Sequence, residues 1–151
     1  MKQNPHPSTQ QTTAALEDTA VPANSQRYAK ALCLQGIRYF QQGDYPQAMY
    51  CLNRGLHLWQ ETPSNLLAEG IALGYLGQLY VKQQQYWFAE ACYRAALSTC
   101  RGHNSVKSRL FQAQIYDWLA ELCRHCSYDD LAKTHQSTAT LIRQDLRSAW
   151  N

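Results

Sequence analysis

Apolar and small side chains recur at helical spacing from Arg27 to the end of the chain. The same residue types return 41 residues later, and a weaker copy follows 43 residues after that. The first set comprises Leu32, Gly36, Tyr39, Ala48, Leu52, Gly55 and Leu56. The second comprises Leu73, Gly77, Tyr80, Ala89, Tyr93, Ala96 and Leu97, and the third Tyr116, Ala120, Cys123, Ala132, Gln136 and Ala139. Self-similarity at a fixed period indicates a repeat architecture.

Each copy divides into two helical segments joined by a short turn. In the first copy the turn is Gly43-Asp44-Tyr45-Pro46. Glycine favours the left-handed end of a helix, aspartate caps the next helix, and proline fits its first turn. Small residues at the Gly36 and Gly55 positions fall where paired helices must approach closely. Three copies therefore predict an all-α fold of three helical hairpins and six helices.

This pattern resembles the tetratricopeptide repeat family, over about residues 29–142. The best matches are the segments Tyr75–Tyr80 and Ala89–Leu97, whereas the third copy is degenerate, with Cys123 and Gln136 at aromatic positions. The resemblance implies a right-handed superhelical array, with repeats at about 29–62, 70–103 and 113–146.

The steps of 41 and 43 residues exceed the 34 of the ordinary repeat. Seven extra residues add almost two helical turns, which lengthens the helices without rotating their faces. Thr62-Pro63-Ser64 predicts an early cap for a helix from Pro63 to about Gln83. Asn104-Ser105 predicts the start of another long helix, ending at about Arg124. The chain is thus similar to the long-helix subclass seen in kinesin light chains.

Residues 1–26 differ in composition from this repeat domain at 27–151. They contain three of the five prolines and few large apolar side chains. Such a segment cannot bury enough surface to offset the entropy of ordering. We therefore predict a disordered N-terminal tail.

The composition narrows the class of partner and the compartment. Charged residues make up only 17% of the 151 residues and the net charge is +3, which argues against a nucleic-acid partner. No window approaches the apolar length of a membrane span. The first residues lack the apolar run of a secretory signal, so the six cysteines are expected to be free thiols in the cytoplasm.

Motifs for catalysis are absent from the sequence, which contains no phosphate-binding glycine loop, metalloprotease motif or nucleophile elbow. We therefore expect a non-enzymatic protein without a cofactor. Cys123, His125 and Cys126 are weak candidates for a metal or redox site. Since Cys123 occupies a core position of the repeat, burial is the better interpretation.

The resemblance also implies a partner-binding groove on the concave side, lined by the first helix of each hairpin. Its positions in this chain are Lys30, Cys33, Ile37, Phe40, Gln41, Gly74, Tyr75, Gln78, Lys82, Asp117, Trp118, Glu121 and Arg124. Apolar and aromatic residues with interspersed glutamines suit a partner peptide or helix. For Tyr75 and Trp118, packing between neighbouring helices is an equal alternative to lining the groove.

A second apolar stripe comprises Ile142, Leu146 and Trp150 at the C-terminal end. It is expected to fold onto the third repeat, with contact to a partner or a second copy as the alternative. The sequence therefore predicts a scaffold or adaptor that binds a protein in its groove. The alternatives are an assembly or chaperone-like factor, or a homodimer, acting through this C-terminal helix. A less favoured alternative is a metal- or redox-responsive regulator that uses Cys123, His125 and Cys126.

Overall fold

The computed structural model describes residues 24–60 and 66–150. These ranges contain six α-helices and no strand. The helices are α1 Ser25–Gln42, α2 Tyr45–Gln60, α3 Leu66–Lys82, α4 Tyr86–Arg101, α5 Val106–His125 and α6 Asp129–Ser148. The all-α hairpin fold is confirmed.

The helical array begins earlier than the predicted boundary at residue 27. Ser25 already belongs to α1 and is buried, so residues 24–26 are part of the array and not of the predicted tail. The rest of that segment, and the predicted cap at Thr62-Pro63-Ser64, lie outside the described residues. At the third hairpin, Ser105 caps α5 by accepting a hydrogen bond from the Ser108 amide, as the sequence predicted within one residue.

The turn inside each hairpin has the same conformation. Gly43 adopts a left-handed φ of 81°, and the Asp44 carboxylate accepts a hydrogen bond from the Gln47 amide at the start of α2. Gln84 and Ser127 occupy the corresponding turns with φ of 60° and 62°. Only the first turn uses the glycine that this conformation favours, which is why the other two lacked a clear turn signal in the sequence.

The hairpins stack so that their first helices form an inner row. Within each hairpin the two helices pack along their length, and successive hairpins join through α2 with α3 and α4 with α5. The inner helices α1, α3 and α5 also contact one another in sequence, whereas the outer helices α2, α4 and α6, among the described helices, do not. The inner side is therefore the closer-packed, concave side of the array.

Small residues allow the close crossing within each hairpin. A Cβ atom added at Gly36 would lie 2.8 Å from Leu52 Cγ, and one added at Gly77 would lie 2.5 Å from the Tyr93 ring. Leu52 and Tyr93 are fully buried and share one register position in the two repeats. The first two hairpins thus each place a large side chain of the second helix directly against a glycine of the first, whereas the third hairpin has Gln136 and Ala120 at these positions.

The first two hairpins present apolar residues of their second helix to the hairpin that follows. The corresponding positions of the third hairpin are polar. Three register positions show this. They are occupied in the first, second and third hairpins by Leu52, Tyr93 and Gln136, by Leu56, Leu97 and Thr140, and by Trp59, Cys100 and Arg143. Two of these side chains are held by α5: Gln136 accepts a hydrogen bond from Arg124, and Arg143 pairs with Asp117. These three positions of the third hairpin are therefore polar where the first two hairpins are apolar.

Substitution of Gly55 tests the close crossing. The added methyl group of Gly55→Ala would lie 2.4 Å from Cys33 Sγ and 3.0 Å from the Ala29 carbonyl oxygen, which belongs to the backbone. We expect a loss of about 1–3 kcal/mol in the free energy of unfolding, measured by urea denaturation.

Gly102→Ala is the matched control, because the nearest atom there is 3.3 Å away at the end of the flexible Leu66 side chain, and Gly102 has a helical φ of −69°. An equal loss in both variants would contradict the close-crossing explanation.

Candidate functional site

Three aromatic side chains join the inner helices across the concave side. The Phe40 and Tyr75 rings lie 5.5 Å apart at 71°, and the Tyr75 and Trp118 rings lie 5.7 Å apart at 66°. Both are edge-to-face arrangements, which aromatic quadrupoles favour. Phe40, Tyr75 and Trp118, called here the inner aromatic row, thus connect α1, α3 and α5, and all three are half-buried.

The row rests on core residues beneath it. The Tyr93 ring stacks on Trp118 at 5.9 Å, and Phe111 meets Trp118 edge-on at 5.8 Å. A Cβ atom at Gly74 would lie 2.8 Å from both Phe111 and Trp118, so Gly74 makes room for these rings. Gly74 was predicted to line the groove, but it is buried under the aromatic residues.

Gln78 connects the inner face to the core. Its amide nitrogen donates a hydrogen bond of 2.6 Å to the hydroxyl oxygen of Tyr93, a residue with no exposed surface. Burial raises the pKa of Tyr93, while the Gln78 hydrogen bond acts in the opposite direction. Gln78 therefore satisfies a buried hydroxyl group, a structural role beyond the groove position that was predicted for it.

One prediction for the groove, Cys33, requires correction, and two further predicted residues make contacts with α6. Cys33 is 3% exposed and lies in the contact between α1 and α2, so it belongs to the core. Asp117 pairs with Arg143, and Arg124 donates to Gln136. Both polar side chains are therefore turned toward α6. Cys33 was misplaced because neighbouring positions on a helix differ by about 100° in direction.

The remaining predicted groove positions lie on the same inner helices as the inner aromatic row. Lys30, Gln41, Lys82 and Glu121 are exposed, and Ile37 is half-buried. Two cations, one anion and one amide make a mixed polar border around an aromatic centre. No binding at these positions is demonstrated, and they stay predictions.

The weak metal and redox candidates do not form a cluster. Among residues 24–60 and 66–150, no three His, Cys, Asp or Glu side chains lie together in a way that could hold a metal ion. Cys123 is buried, and burial raises the pKa of its thiol. The His125 ring stacks on Tyr86 at 5.8 Å. A raised pKa reduces the thiolate that metal binding and redox exchange require.

The C-terminal apolar stripe is packed on the third repeat in part and exposed in part. Leu146 is buried and Ile142 half-buried, as expected for folding onto the third repeat. Trp150, however, is 76% exposed and borders a 540 Å³ cavity that Val106 and Leu110 also line. Part of the stripe therefore remains on the surface.

A cavity on the outer side of the array was missed by sequence reasoning. This outer cleft, of about 610 Å³, is bordered by α4 and α6, which do not contact each other, and floored by α5. A signal was present in the sequence. Tyr80 and Phe88 pack together at 5.4 Å, but the same register positions one repeat later are the smaller Cys123 and Leu131.

Comparison with known proteins agrees with this architecture. The family model for the tetratricopeptide repeat matches residues 27–102, half of the chain and its first two hairpins. The chain belongs to the tetratricopeptide repeat family. The third hairpin lies beyond that match and is established by the packing of α5 on α6.

A solved structure extends the likeness of the fold. The crystal structure of BtubC (BKLC) from P. vanneervenii superimposes with a TM-score of 0.72 at 15% identity, covering 89% of this chain. This chain spans 54%, about half, of BtubC. At that identity the likeness concerns the fold alone. A search of curated proteins finds no match.

The buried thiol of Cys33 predicts a loss of stability at alkaline pH. Burial, followed by Cys51 and Glu69, raises the pKa of Cys33 from 9.0 to about 12. Above pH 9 the Cys33 thiol loses its proton in the unfolded chain but keeps it in the folded chain. The contribution of Cys33 to the free energy of unfolding, which is fully present below pH 9, therefore falls by about 1.4 kcal/mol per pH unit. Urea denaturation between about pH 8 and about pH 10.5 measures the slope.

Cys33→Ala should make the slope of the unfolding free energy against pH shallower. Cys126→Ala should leave the slope unchanged, because Cys33 is still present. An identical slope in the wild type and Cys33→Ala would show that Cys33 is not the titrating group.

Proposed function

We propose that this protein is a non-enzymatic scaffold or adaptor that binds a peptide segment or helix of a partner protein along its concave face. Tetratricopeptide repeats generally mediate protein–protein interaction and are generally non-catalytic. The observation that carries the proposal for this chain is the inner aromatic row, which spans all three inner helices.

The row has the properties of a binding centre with a polar border. Aromatic residues supply much of the energy at protein interfaces, and a surrounding polar rim excludes water. Here the rings hold one another in place by edge-to-face contacts, so little rotamer entropy remains to be lost when a partner binds. Lys30, Lys82 and Glu121 border the row with both signs of charge. This suits a partner segment with apolar anchors and a few polar contacts.

We further propose a cytoplasmic location. The six cysteines are free thiols in the structure, and four of them are buried in hairpin packing. A reducing compartment is where such thiols persist. Within the described ranges, none of the helices combines the length and the apolarity needed to cross a bilayer.

Site-specific photocrosslinking in native lysate tests the concave face. A photoreactive amino acid placed at Gln41 or Lys82, both exposed on inner helices, should crosslink the same partner, to be identified by mass spectrometry. The partner's crosslink should weaken about threefold or more when Lys82→Glu is combined with the probe at Gln41, because the rim charge is reversed.

Arg54, exposed on the outer helix α2, provides the matched control position. A photoreactive residue there should not crosslink that partner, and Arg54→Glu should leave the crosslink at Gln41 unchanged. Crosslinks from Arg54 but none from Gln41 or Lys82 would contradict concave binding.

A second candidate function, assembly through the C-terminal helix, is favoured by the exposure of Trp150. The indole borders a cavity with Val106 and Leu110, which are themselves 42% and 48% exposed. An exposed group of this kind is typical of a contact with another protein or a second copy.

Sedimentation of the full chain tests this candidate. If the patch joins two copies, the wild type dimerises with rising concentration and Trp150→Ser weakens the dimer about tenfold or more, since a buried Trp anchor is lost. Tyr50→Ser, an exposed aromatic residue on α2, is the control and should leave the dimer unchanged. A monomeric wild type at every concentration rules out the homodimer.

A further inference from the structure

The outer cleft lies where the third repeat lacks two aromatic residues of the second repeat. Between α2 and α4, the rings of Tyr80 and Phe88 contact each other at 5.4 Å. The register positions of these residues are Cys123 and Leu131 one repeat later. This ring pair therefore has no counterpart at the two positions in the third repeat, although Tyr116 and His135, which also line the cleft, replace the smaller Leu73 and Cys92.

The cleft is apolar at its floor and aromatic at one end. Leu97, Leu119 and Leu122 are buried beneath it, with 5–7% exposure. At the end where α4 and α6 begin, Trp87 and Tyr128 are 78% and 64% exposed. This surface is both contiguous and partly open to water, as a docking site for apolar side chains must be.

The cleft has the dimensions of a helix-binding groove. Its wall on α4 is one stripe of the helix, formed by Tyr86, Glu90, Arg94, Leu97 and Arg101. At about 1.5 Å per residue this stripe is about 22 Å long, which matches a partner helix of about 15 residues.

The charge of the cleft is positive at the end of α4. Glu90 is paired with Arg94 at 2.7 Å, and burial and then Arg94 lower the pKa of His135, so its imidazole is neutral near pH 7. Arg101 lines the cleft and has no ion pair with any of the described residues. One unpaired guanidinium therefore remains, and it favours a carboxylate on the partner.

From these observations we propose that the outer cleft between α4 and α6 binds an amphipathic helix of a partner protein, with its apolar face on Leu97 and Leu131 and an acidic residue at Arg101. Acidic side chains stabilise the N-terminal end of a helix. The partner helix therefore runs antiparallel to α4, with its acidic N-terminal end at Arg101. This site lies on the opposite side of the array from the inner aromatic row and does not depend on it.

A designed peptide provides the probe for the full chain. It has about 15 residues, leucines along one face, two glutamates at its N-terminal end and a fluorescent label, and its binding is followed by anisotropy. We expect saturable binding to the wild type. Leu131→Glu should weaken it about tenfold or more, because a charge enters the apolar cleft.

Leu141→Glu is the matched control, since Leu141 is exposed on the same helix but outside the cleft. It should leave binding unchanged, and so should Lys82→Glu on the concave side. Loss of binding in Lys82→Glu alone would place the peptide in the concave groove and overturn the proposal without affecting the proposed function.

Charge reversal tests the orientation. Arg101→Glu should weaken the glutamate peptide about threefold and strengthen a peptide with two N-terminal lysines by a similar factor, as expected for a partly exposed ion pair. The proposal would be overturned if the peptide showed no saturable binding, or if Leu131→Glu and Leu141→Glu weakened binding equally. It would also be overturned if Arg101→Glu did not change which of the two peptides binds more tightly. A dimer of the full chain that Leu131→Glu dissociates would also overturn it, in favour of a second copy.

Discussion

The close crossing of the two helices in each hairpin is the constraint on which the other surfaces depend. Gly36 faces Leu52 and Gly77 faces Tyr93 at distances that leave no room for a Cβ atom. Because each pair is locked along its length, successive hairpins can meet only through their remaining faces. The inner helices contact one another and the outer helices do not, among those described. The concave face and the outer cleft are the two sides of this arrangement.

The same crossing fixes the shape of the concave face. Tyr93 fills the space above Gly77, and its ring stacks on Trp118, which in turn meets Tyr75. Gln78 satisfies the Tyr93 hydroxyl group from the inner helix. The aromatic row is therefore continuous with the core, and a change in core packing would move the residues proposed to bind a partner. Rigid support of this kind favours binding, since the site is formed before the partner arrives.

The sequence predicted the hairpins well because their signal is local. Gly43, Asp44 and Pro46 marked the first turn directly, and the 41-residue register carried that assignment to the second hairpin. Side-chain direction was harder to predict, as Cys33 shows: it lies beside true surface positions on α1 yet packs against Gly55. The outer cleft could not be read from either α4 or α6 alone, because it depends on the distance between helices that do not touch.

The degenerate third repeat has two structural consequences that follow from substitutions at aromatic and apolar positions. In α6, Gln136 and Arg143 replace residues that would pack on a next hairpin, and α5 satisfies both through polar contacts. Such a face does not offer the apolar surface on which repeats stack. On the outer side, Cys123 and Leu131 occupy the register positions of the aromatic pair Tyr80 and Phe88, and apolar surface is accessible there. The departures from the repeat pattern therefore make three positions of α6 polar, whereas those at Cys123 and Leu131 lie in the outer cleft, where we propose that a partner helix binds.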